Sequence, residues 1–522
     1  MFTRTKNHDG IGTQTSFTQQ NCRRVLQLVG MACVLFSLAA EAGPWGSDPW
    51  VEVGRSSLRS DIQILADAGV IEGPVSTWPL AWGDILPQLQ TSLELTTYQA
   101  AARQRVREAA AVATETGFID LHARVSVGAN PIQIRSFEKT PRDEAEIEAG
   151  LAWIGQRFAV RLTGTYVNDP IDGKEWRADG SYVGVALGNW MLAGSFQDRW
   201  WGPGWQSSLI LSSNARPIPA LTLDRNSTHA FETKWLSWLG PWDLAVMWGL
   251  LKDDRFIPNS HFFGMRFNFR PFNSLEVGLS RTAMLCGDGR PCGFKTFKNM
   301  LLGKDNVGEN ISEKDEPGNQ MAGFDLRWSG HLASQPLALY TQWIGEDENN
   351  FVPTQWLAQF GTETWGQWDR FGSYRIYFEW ADTMCDFRLY RSIRGDDGSR
   401  TGECAYNHSP YSTGYRYRGR SVGHSFDNDA SIFTLGGSLI GHQNNTWYGT
   451  IGYGKLNRLT SLDPRNTVAQ VKTRYREIEF MHSRRIIVGE IHAGLGYEYR
   501  KNTATGLSDD EFHGFLEWQG TF

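Results

Sequence analysis

The sequence lacks the long apolar stretches that a bundle of membrane-spanning helices requires. Its mean hydropathy is -0.39, and hydrophobic residues make up 41% of its 522 positions, which excludes a polytopic helical membrane protein. It also lacks an excess of basic residues, since the net charge is -6 and the pI is near 6.0. Nucleic-acid-binding proteins need a basic surface, so no nucleic-acid partner is expected.

Patterns for cofactor and metal binding are missing as well. The chain has no metal-binding His-Glu pattern, no phosphate-binding loop and no dinucleotide-binding glycine pattern. Gly423-His424-Ser425 contains an adjacent His-Ser pair, and it lies in a long polar segment without an evident third partner. We therefore expect no enzyme activity, no cofactor and no metal ion.

Residues 1–42 have the features of a secretory signal peptide. Arg23 and Arg24 form its positive region, Val25 to Ala40 its apolar core, and Ala40-Glu41-Ala42 a small-residue cleavage site. A membrane anchor fits less well, because the apolar stretch is short for a spanning helix and no charge cluster follows it. We expect export through this signal, followed by its removal.

Cysteine is scarce, and two of the six cysteines, Cys22 and Cys33, are lost with the signal. The other four form two local pairs, Cys286 with Cys292 and Cys385 with Cys404. Export leads to an oxidising compartment in which disulfides persist. Local pairing is the simplest of three possible connectivities, so we expect two disulfides, with free buried thiols as the alternative.

Residues 43–116 show the three- to four-residue periodicity of helices. A first helix is predicted from Ser56 to a stop at Gly69, a second from about Gly83 to Leu93, and a third from Thr97 to about Ala113. Three short helices are too small to form an independent core. We expect a small α-helical periplasmic domain that docks on the rest of the chain as a plug.

After Gly117 the periodicity changes to two residues. In one stretch Tyr374, Ile376, Phe378 and Trp380 share a face, and the opposite face carries Ser373, Arg375, Tyr377 and Glu379. The content of 22 Trp and 55 Gly also favours strands and tight turns. A soluble sandwich and a membrane barrel both show this alternation, with the apolar face turned inward in the first and outward in the second.

Short joints and long polar segments alternate along residues 117–522, and this favours the barrel. Short joints are predicted at 155–157, 188–190, 240–241, 271–273, 330–335, 366–372, 442–445 and 482–484. Long loops are predicted at 130–143, 168–181, 200–218, 252–259, 286–319, 347–354, 385–428, 458–466 and 501–508. Outer-membrane barrels combine short periplasmic turns with long external loops. The sequence predicts an all-β transmembrane barrel of about 18 antiparallel strands, with both cysteine pairs in external loops.

The end of the chain carries a further sign of this location. Phe512, Leu516, Trp518 and Phe522 alternate with polar residues, and the last residue is aromatic. A terminal strand that ends in Phe resembles the signal by which barrel proteins are recognised for insertion. We expect a location in the outer membrane of a Gram-negative bacterium, in contact with outer-membrane lipid.

The segment from Gln197 to Pro219 combines tryptophans with glycines and short polar side chains. Sugars present apolar faces ringed by hydroxyl groups, so flat rings and Asp, Asn, Gln or Arg side chains suit their recognition. The candidate polysaccharide-binding or mouth-closing residues are Asp198, Arg199, Trp200, Trp201, Trp205, Gln206, Ser208, Asn214 and Arg216. We expect this segment at the outer mouth, where the tryptophans supply stacking faces. A membrane aromatic girdle is the structural alternative.

Asp198-Arg199-Trp200-Trp201-Gly202-Pro203-Gly204 and Leu209 to Pro217 resemble the Wzi family of capsule-assembly proteins. Asp61 to Gly69 and Trp78-Pro79-Leu80 extend the resemblance to nearly the whole mature chain. The resemblance implies an eighteen-stranded outer-membrane barrel whose periplasmic end is closed by a helical bundle. It also implies a lectin for capsular polysaccharide. The cysteine-bearing loops are not part of the resemblance.

We therefore expect a lectin-like protein that binds capsular or exopolysaccharide and supports its assembly and attachment at the cell surface. The polysaccharide-export machinery is a further candidate partner. The main alternative is an outer-membrane channel for small solutes, because a barrel of this size can enclose an aqueous pore. An outer-membrane lipase is the weakest alternative, since it depends on the His424-Ser425 pair.

Overall fold

The computed structural model describes residues 48–301, 318–349, 352–387, 402–441, 445–459 and 462–522. The predicted signal peptide, with Cys22 and Cys33, lies outside these residues. None of the helices in the described residues combines the length and the apolar character that crossing a bilayer requires.

Within the described residues, eighteen antiparallel strands form a closed barrel, which confirms the predicted fold class. They are β1 Ile119–Ala129, β2 Ala145–Ile154, β3 Phe158–Asn168, β4 Trp176–Arg177 with Tyr182–Leu187, β5 Trp190–Ser195, β6 Ala220–Arg225, β7 Trp242–Leu250, β8 His261–Phe272, β9 Leu275–Leu285, β10 Gly318–Leu332, β11 Gln335–Asn349, β12 Val352–Trp368, β13 Gly372–Asp382, β14 Ser431–Ile440, β15 Thr446–Leu456, β16 Thr473–Ile486, β17 Gly489–Asn502 and β18 Ser508–Thr521. We count β4 once because both of its parts pair with β3. The barrel closes where β18 pairs with β1.

The strands turn their polar face inward and their apolar face outward. On β13, Arg375 and Glu379 are 1% and 2% exposed inside the barrel, whereas Ile376 and Phe378 are 37% and 44% exposed outside it. Successive side chains of a strand point to opposite faces, so the alternation in the sequence places the charged residues in the lumen. The outer surface is therefore suited to lipid, as in a membrane barrel.

The two ends of the barrel differ in their connections. At one end, which we call the short-turn end, six connections are turns of two or three residues: 155–157, 188–189, 273–274, 333–334, 369–371 and 487–488. Connection 226–241 lies at the same end and is longer. The opposite, long-loop end carries the extended connections, which include 130–144, 196–219, 251–260, 383–430 and 457–472. Among the described residues this arrangement confirms most of the predicted alternation between turns and loops. The joint predicted at 442–445 lies outside the described residues except for its last position.

Three of the predicted connections are wrong. The joint predicted at 240–241 is the end of a longer connection that contains the 3-10 turn Ser237–Leu239. The loop predicted at 347–354 is mostly strand, because β11 extends to Asn349 and β12 begins at Val352. Residues 482–484 lie within β16. Strands that continue beyond the bilayer enter water on both faces, so a polar stretch does not by itself mark the end of a strand.

Four helices lie in the described residues: α1 Ser56–Asp67, α2 Trp82–Gln88, α3 Thr97–Ala113 and α4 Phe294–Leu301. The first three follow the predicted order, although α2 is shorter than expected. α1 packs on α3 through fully buried Ile62, Ala102 and Val106, and Arg105 of α3 pairs with Asp61 of α1 at 2.6 Å. These helices therefore form one compact unit, which lies inside the barrel at the short-turn end.

Candidate functional site

Buried ion pairs join the helical unit to the wall of the lumen. Arg327 of β10 makes a bidentate pair with Asp67 of α1, at 2.6 and 2.8 Å. Arg375 of β13 donates to the hydroxyl of Ser60 in α1 at 3.0 Å. Glu363 of β12 lies between the two arginines and accepts hydrogen bonds from both. Charge-assisted bonds of this kind are strong and directional, so they fix the position of α1 in the lumen.

The segment between α1 and α2 is fixed to another part of the wall. Arg266 of β8 donates to the hydroxyls of Thr77 and Ser76 at 2.7 and 2.8 Å, and it pairs with Asp325 of β10 at 2.6 Å. Glu276 of β9 accepts the backbone N–H of Ser76 at 2.8 Å. The wall thus satisfies the side-chain and backbone polar groups of Ser76 and the hydroxyl of Thr77.

The tryptophan-rich connection 196–219 enters the lumen and meets the helical unit there. Trp200–Trp201 pairs as a short antiparallel strand with Thr77–Trp78. The ring of Phe137 packs edge-on against both Trp78 and Trp200. Trp200 and Trp201 are 0% exposed. The connection is therefore a second layer inside the barrel, directly on top of the helices.

Trp205 is also buried, and both its indole N–H and its ring contact side chains inside the lumen. Its indole Nε1 donates to Glu363 at 2.8 Å, and its ring stacks on Tyr377 with centroids 6.0 Å apart. The guanidinium groups of Arg59 and Arg375 lie 4.2 and 5.0 Å from its ring centroid. The expectation that these tryptophans offer exposed stacking faces at the outer mouth is therefore wrong for this arrangement.

The remaining candidates in this segment mostly hold its backbone and neighbours in place. Arg199 makes a bidentate pair with Asp224 of β6 at 2.9 and 2.8 Å. The backbone N–H of Gln206 donates to Glu379 at 3.1 Å. Ser208 donates to the carbonyl of Trp201, and Asn214 Nδ2 donates to that of Ser421 at 3.2 Å. Asp198 lines a small cavity beneath the long-loop end, 3.5 Å from Arg142.

The described part of connection 383–430, residues 383–387 and 402–430, covers this second layer from the long-loop end. The hydroxyl of Tyr406 donates to the carbonyl of Leu209 at 2.7 Å, and that of Tyr415 donates to the carbonyl of Ile210 at 2.8 Å. The backbone N–H of Ser425 donates to the hydroxyl of Ser207 at 2.9 Å. The helices, the tryptophan segment and this connection thus form three successive layers across the lumen.

Two disulfides lie in the connections at the long-loop end, as the sequence predicts. Cys286 is bonded to Cys292, and Cys385 is bonded to Cys404. Cys385 is fully buried, in the same apolar cluster as Tyr406 and Tyr415. This disulfide therefore joins the end of β13 to the part of the loop that covers the lumen.

We expect peptide mapping under non-reducing conditions to recover both disulfides from the purified protein. One linked peptide pair should contain Cys286 and Cys292, and the other Cys385 and Cys404. Each pair should separate after treatment with a thiol reductant, which serves as the internal control. Recovery of four alkylated thiols, or of crossed pairs, would contradict the arrangement.

A polar cleft opens at the long-loop end, beside the covered lumen, and has a volume of about 370 Å³. Its cationic lining consists of Arg142, Arg177, Arg216, Arg418, Arg420 and Arg500. Its carboxylates are Asp143, Asp172, Glu498, Asp509 and Glu511. Of the residues predicted from the tryptophan-rich segment, Arg216 lines this cleft. The others have no place in its lining, and the sequence did not single out the other arginines.

The arginines of the cleft differ in their partners. Arg177 pairs with Asp143 at 2.6 Å, and Arg216 pairs with Asp172 at 2.6 Å. Arg420 instead donates to the backbone carbonyls of loop 130–144. Burial, followed by repulsion from the Arg142 cation, lowers the pKa of Arg420 to about 9. Arg420 thus lines the cleft with its guanidinium held by neutral carbonyl groups, unlike the carboxylate-paired Arg177 and Arg216.

The His-Ser pair is part of the packed loop layer. His424 is 1% exposed, its ring stacks on Phe426, and burial lowers its pKa to about 3. Gly419 to Gly423 match the G-x-S-x-G spacing of a nucleophile elbow. However, Ser421 is buried and belongs to the hairpin formed by Arg416–Tyr417 and Arg420–Ser421. A nucleophile elbow needs a turn between a strand and a helix, so this arrangement does not support a hydrolase.

Two known proteins are similar to this chain over most of its length. An uncharacterised 55.8 kDa protein from the cps region of Klebsiella pneumoniae is 29% identical over 455 residues, which cover 86% of this chain and 84% of that protein. The structure of Wzi from Escherichia coli, an outer membrane protein involved in group 1 capsule assembly and a carbohydrate-binding β-barrel, matches with a TM-score of 0.76. That match has 25% identity and covers 91% of this chain and 99% of the other.

The family comparison covers most of the barrel and two of its three internal layers. Residues 121–504 match the family of the capsule assembly protein Wzi. The matched range runs from β1 to the turn before β18, and it includes the tryptophan-rich segment and the loops that cover it. The chain therefore belongs to the Wzi family of capsule assembly proteins and is an outer-membrane β-barrel.

Proposed function

We propose that the protein binds a capsular or exopolysaccharide at the external face of the outer membrane and supports its assembly and attachment there. It acts as a lectin and not as an enzyme. The similarity to Escherichia coli Wzi, a carbohydrate-binding β-barrel, supports this class of ligand. The proposal places binding in the arginine-lined cleft at the long-loop end.

The observation that carries the proposal is the position of this cleft outside a lumen filled by three layers. A solute channel needs a continuous aqueous path through the barrel. The buried tryptophans Trp200 and Trp201 and the ion pairs around Glu363 occupy that path. A ligand that arrives from outside meets the cleft first, which favours surface binding over transport as the function.

The chemistry of the cleft suits an acidic glycan. Planar guanidinium groups bind carboxylates in a bidentate manner, and carboxylates accept hydrogen bonds from sugar hydroxyls. Arg418 lies on a loop hairpin and Arg500 on β17, where it pairs with Glu498 at 2.8 Å, and both arginines line the cleft and remain partly exposed. In this proposal Arg418 and Arg500, which lie on different structural elements, contact neighbouring sugar units of one polysaccharide chain.

The same proposal orients the domains. Residues 1–42 are a cleaved signal peptide, residues 43–116 a periplasmic plug, and residues 117–522 the barrel of a Gram-negative outer membrane. The position of α1–α3 at the short-turn end supports this orientation, because short turns face the periplasm in such barrels. The helical surface then faces the periplasm, where it is available to the polysaccharide-export machinery.

We assign the tryptophan-rich segment the second of its two predicted roles, that of closing the barrel. Asp198, Arg199, Trp200, Trp201, Trp205, Gln206, Ser208 and Asn214 hold the middle layer in place. The burial of the three tryptophans and the bidentate pair of Arg199 with Asp224 support this role. Arg216 differs, because it reaches the cleft and pairs there with Asp172.

Replacing the two partly exposed arginines of the cleft should weaken glycan binding. For Arg418→Gln with Arg500→Gln, we expect the affinity for purified surface polysaccharide of the host to fall at least about tenfold, because each charged hydrogen bond contributes about 1.5–3 kcal/mol. Binding is measured by biolayer interferometry on the full-length, detergent-solubilised barrel. A glycan array then tests whether uronic-acid-containing sugars are preferred.

The matched control is Arg474→Gln with Arg476→Gln, two exposed arginines on the outer face of β16. This control removes the same charge and should leave affinity unchanged. Heat-modifiable migration on gels confirms that each variant is folded. Equal affinity of the cleft variant, the control and the wild type would exclude the cleft as the binding site.

A further inference from the structure

Helix α4 lies on the outside of the barrel near its long-loop end. Its Phe297 packs edge-on against Trp248 of β7 and Phe263 of β8, with ring centroids 5.3 Å apart in both pairs. Met300 is fully buried in the same cluster. Trp248 and Phe263 are register partners on the outward face of the wall. The helix therefore covers part of the outward-facing barrel surface near the long-loop end.

An arginine on the same face fixes the end of the helix. Arg281 of β9 donates to the carbonyls of Met300 and Leu301. A cation at this position complements the negative C-terminal end of the helix. At the other end, the Cys286–Cys292 disulfide closes the short loop that leads into the helix. α4 is thus attached to the wall at both ends and lies along it.

The free face of α4 combines apolar and basic side chains. Phe294 is 83% exposed and Leu301 is 37% exposed, and Lys295 and Lys298 are exposed beside them. An aromatic ring with this exposure is unfavourable in water. Alternation of apolar side chains with lysines is typical of helices that lie in the headgroup region of a membrane.

We propose that α4 is a lipid-binding helix of the external leaflet, specific for a phosphorylated glycolipid such as the lipid A of lipopolysaccharide. Lys295 and Lys298 pair with its phosphate groups, while Phe294 and Leu301 enter the acyl region. Continuity with the lipid-facing wall at Trp248 and Phe263 argues for a lipid over a soluble partner. The proposal uses the outer-membrane location and is independent of glycan binding in the cleft.

Native mass spectrometry of the full-length barrel with defined lipids tests this assignment. We expect bis-phosphorylated lipid A to bind more tightly than its dephosphorylated form or phosphatidylethanolamine. Lys295→Glu with Lys298→Glu should weaken lipid A binding at least about tenfold, because each lysine near an anionic lipid surface contributes measurably to affinity. Phe294→Ser should also weaken binding, and its effect should persist in high salt.

The matched control is Lys174→Glu with Lys234→Glu, two exposed lysines in other connections, and it should bind lipid A as the wild type does. Polysaccharide affinity in the cleft should be unchanged in all variants, which separates failure here from failure of the proposed function. Equal binding of phosphorylated and dephosphorylated lipid A would overturn the assignment. So would wild-type binding by the lysine variant, or a stable protein dimer that buries α4.

Discussion

Deletion of residues 43–116 should convert the closed barrel into an open pore. Full-length protein is expected to show negligible conductance in planar bilayers, whereas the folded deletion variant should conduct ions steadily. The physical reason is that the deletion leaves Arg266, Glu276 and Arg375 facing an unfilled lumen. Water will fill the lumen around these charged side chains, and a barrel of sixteen to eighteen strands is wide enough for an aqueous channel.

The tryptophan segment alone is not expected to seal the barrel. In the intact protein Trp200 pairs with Trp78, and Arg59 of α1 donates to the carbonyl of Pro203 at 2.9 Å. Both contacts disappear with the helices, so the middle layer loses its support from below. A heat-modifiable deletion variant that still fails to conduct would show that the loop layers close the lumen by themselves.

The strand pattern could be read from the sequence because it depends on neighbouring residues. The two faces of Ser373 to Trp380 follow from the pleat alone, and the structure places Arg375 and Glu379 inside as predicted. The disulfides were predictable for a similar reason, since the paired cysteines are only 6 and 19 positions apart in the sequence. Local spacing therefore determines both the architecture and the covalent links of the loops.

The path of the tryptophan segment could not be read in the same way. Trp205 meets Glu363 across 158 positions of sequence, and no local periodicity reports such a contact. Rings among glycines suit a sugar platform and a packed interior equally well. The glycines of the segment are explained by the packed interior. A Cβ on Gly204 would lie 2.3 Å from the carbonyl oxygen of Ser207 and 2.5 Å from Gln359. Close approach of this kind belongs to a packed interior.

The cleft was missed because its residues come from distant parts of the chain. Arg142, Arg418 and Arg500 lie on three different connections or strands, and each looks like an ordinary polar residue in its own segment. Only closure of the barrel, with β18 next to β1, brings them to one surface. The resemblance to the Wzi family predicted the class of ligand, but it did not include the loops that carry Arg418 and its neighbours.

Glu363 lies where the wall, the helical unit and the middle layer meet. Its Oε1 accepts from Arg327 at 2.8 Å, and its Oε2 accepts from Arg375 at 2.6 Å and from the indole of Trp205 at 2.8 Å. It therefore connects the wall to the helices through Arg327 and Arg375, and to the middle layer through Trp205. The side chains of Glu363 and Arg375 are both only 1% exposed, so water cannot replace a lost partner.

Glu363→Leu should lower the free energy of unfolding by about 3–5 kcal/mol, since it leaves two buried guanidinium groups with fewer anionic partners. Equilibrium unfolding in guanidinium chloride, followed by tryptophan fluorescence, measures this loss. Glu94→Leu replaces an exposed carboxylate between α2 and α3 and should change stability by no more than about 0.5 kcal/mol. The Glu363→Leu barrel should also conduct ions intermittently, because the helical unit and the middle layer both lose a contact with the wall at this position. If the variant matches the wild type in stability and in its lack of conductance, Asp67 and Ser60 are sufficient partners for the two arginines. Other contacts then join the layers.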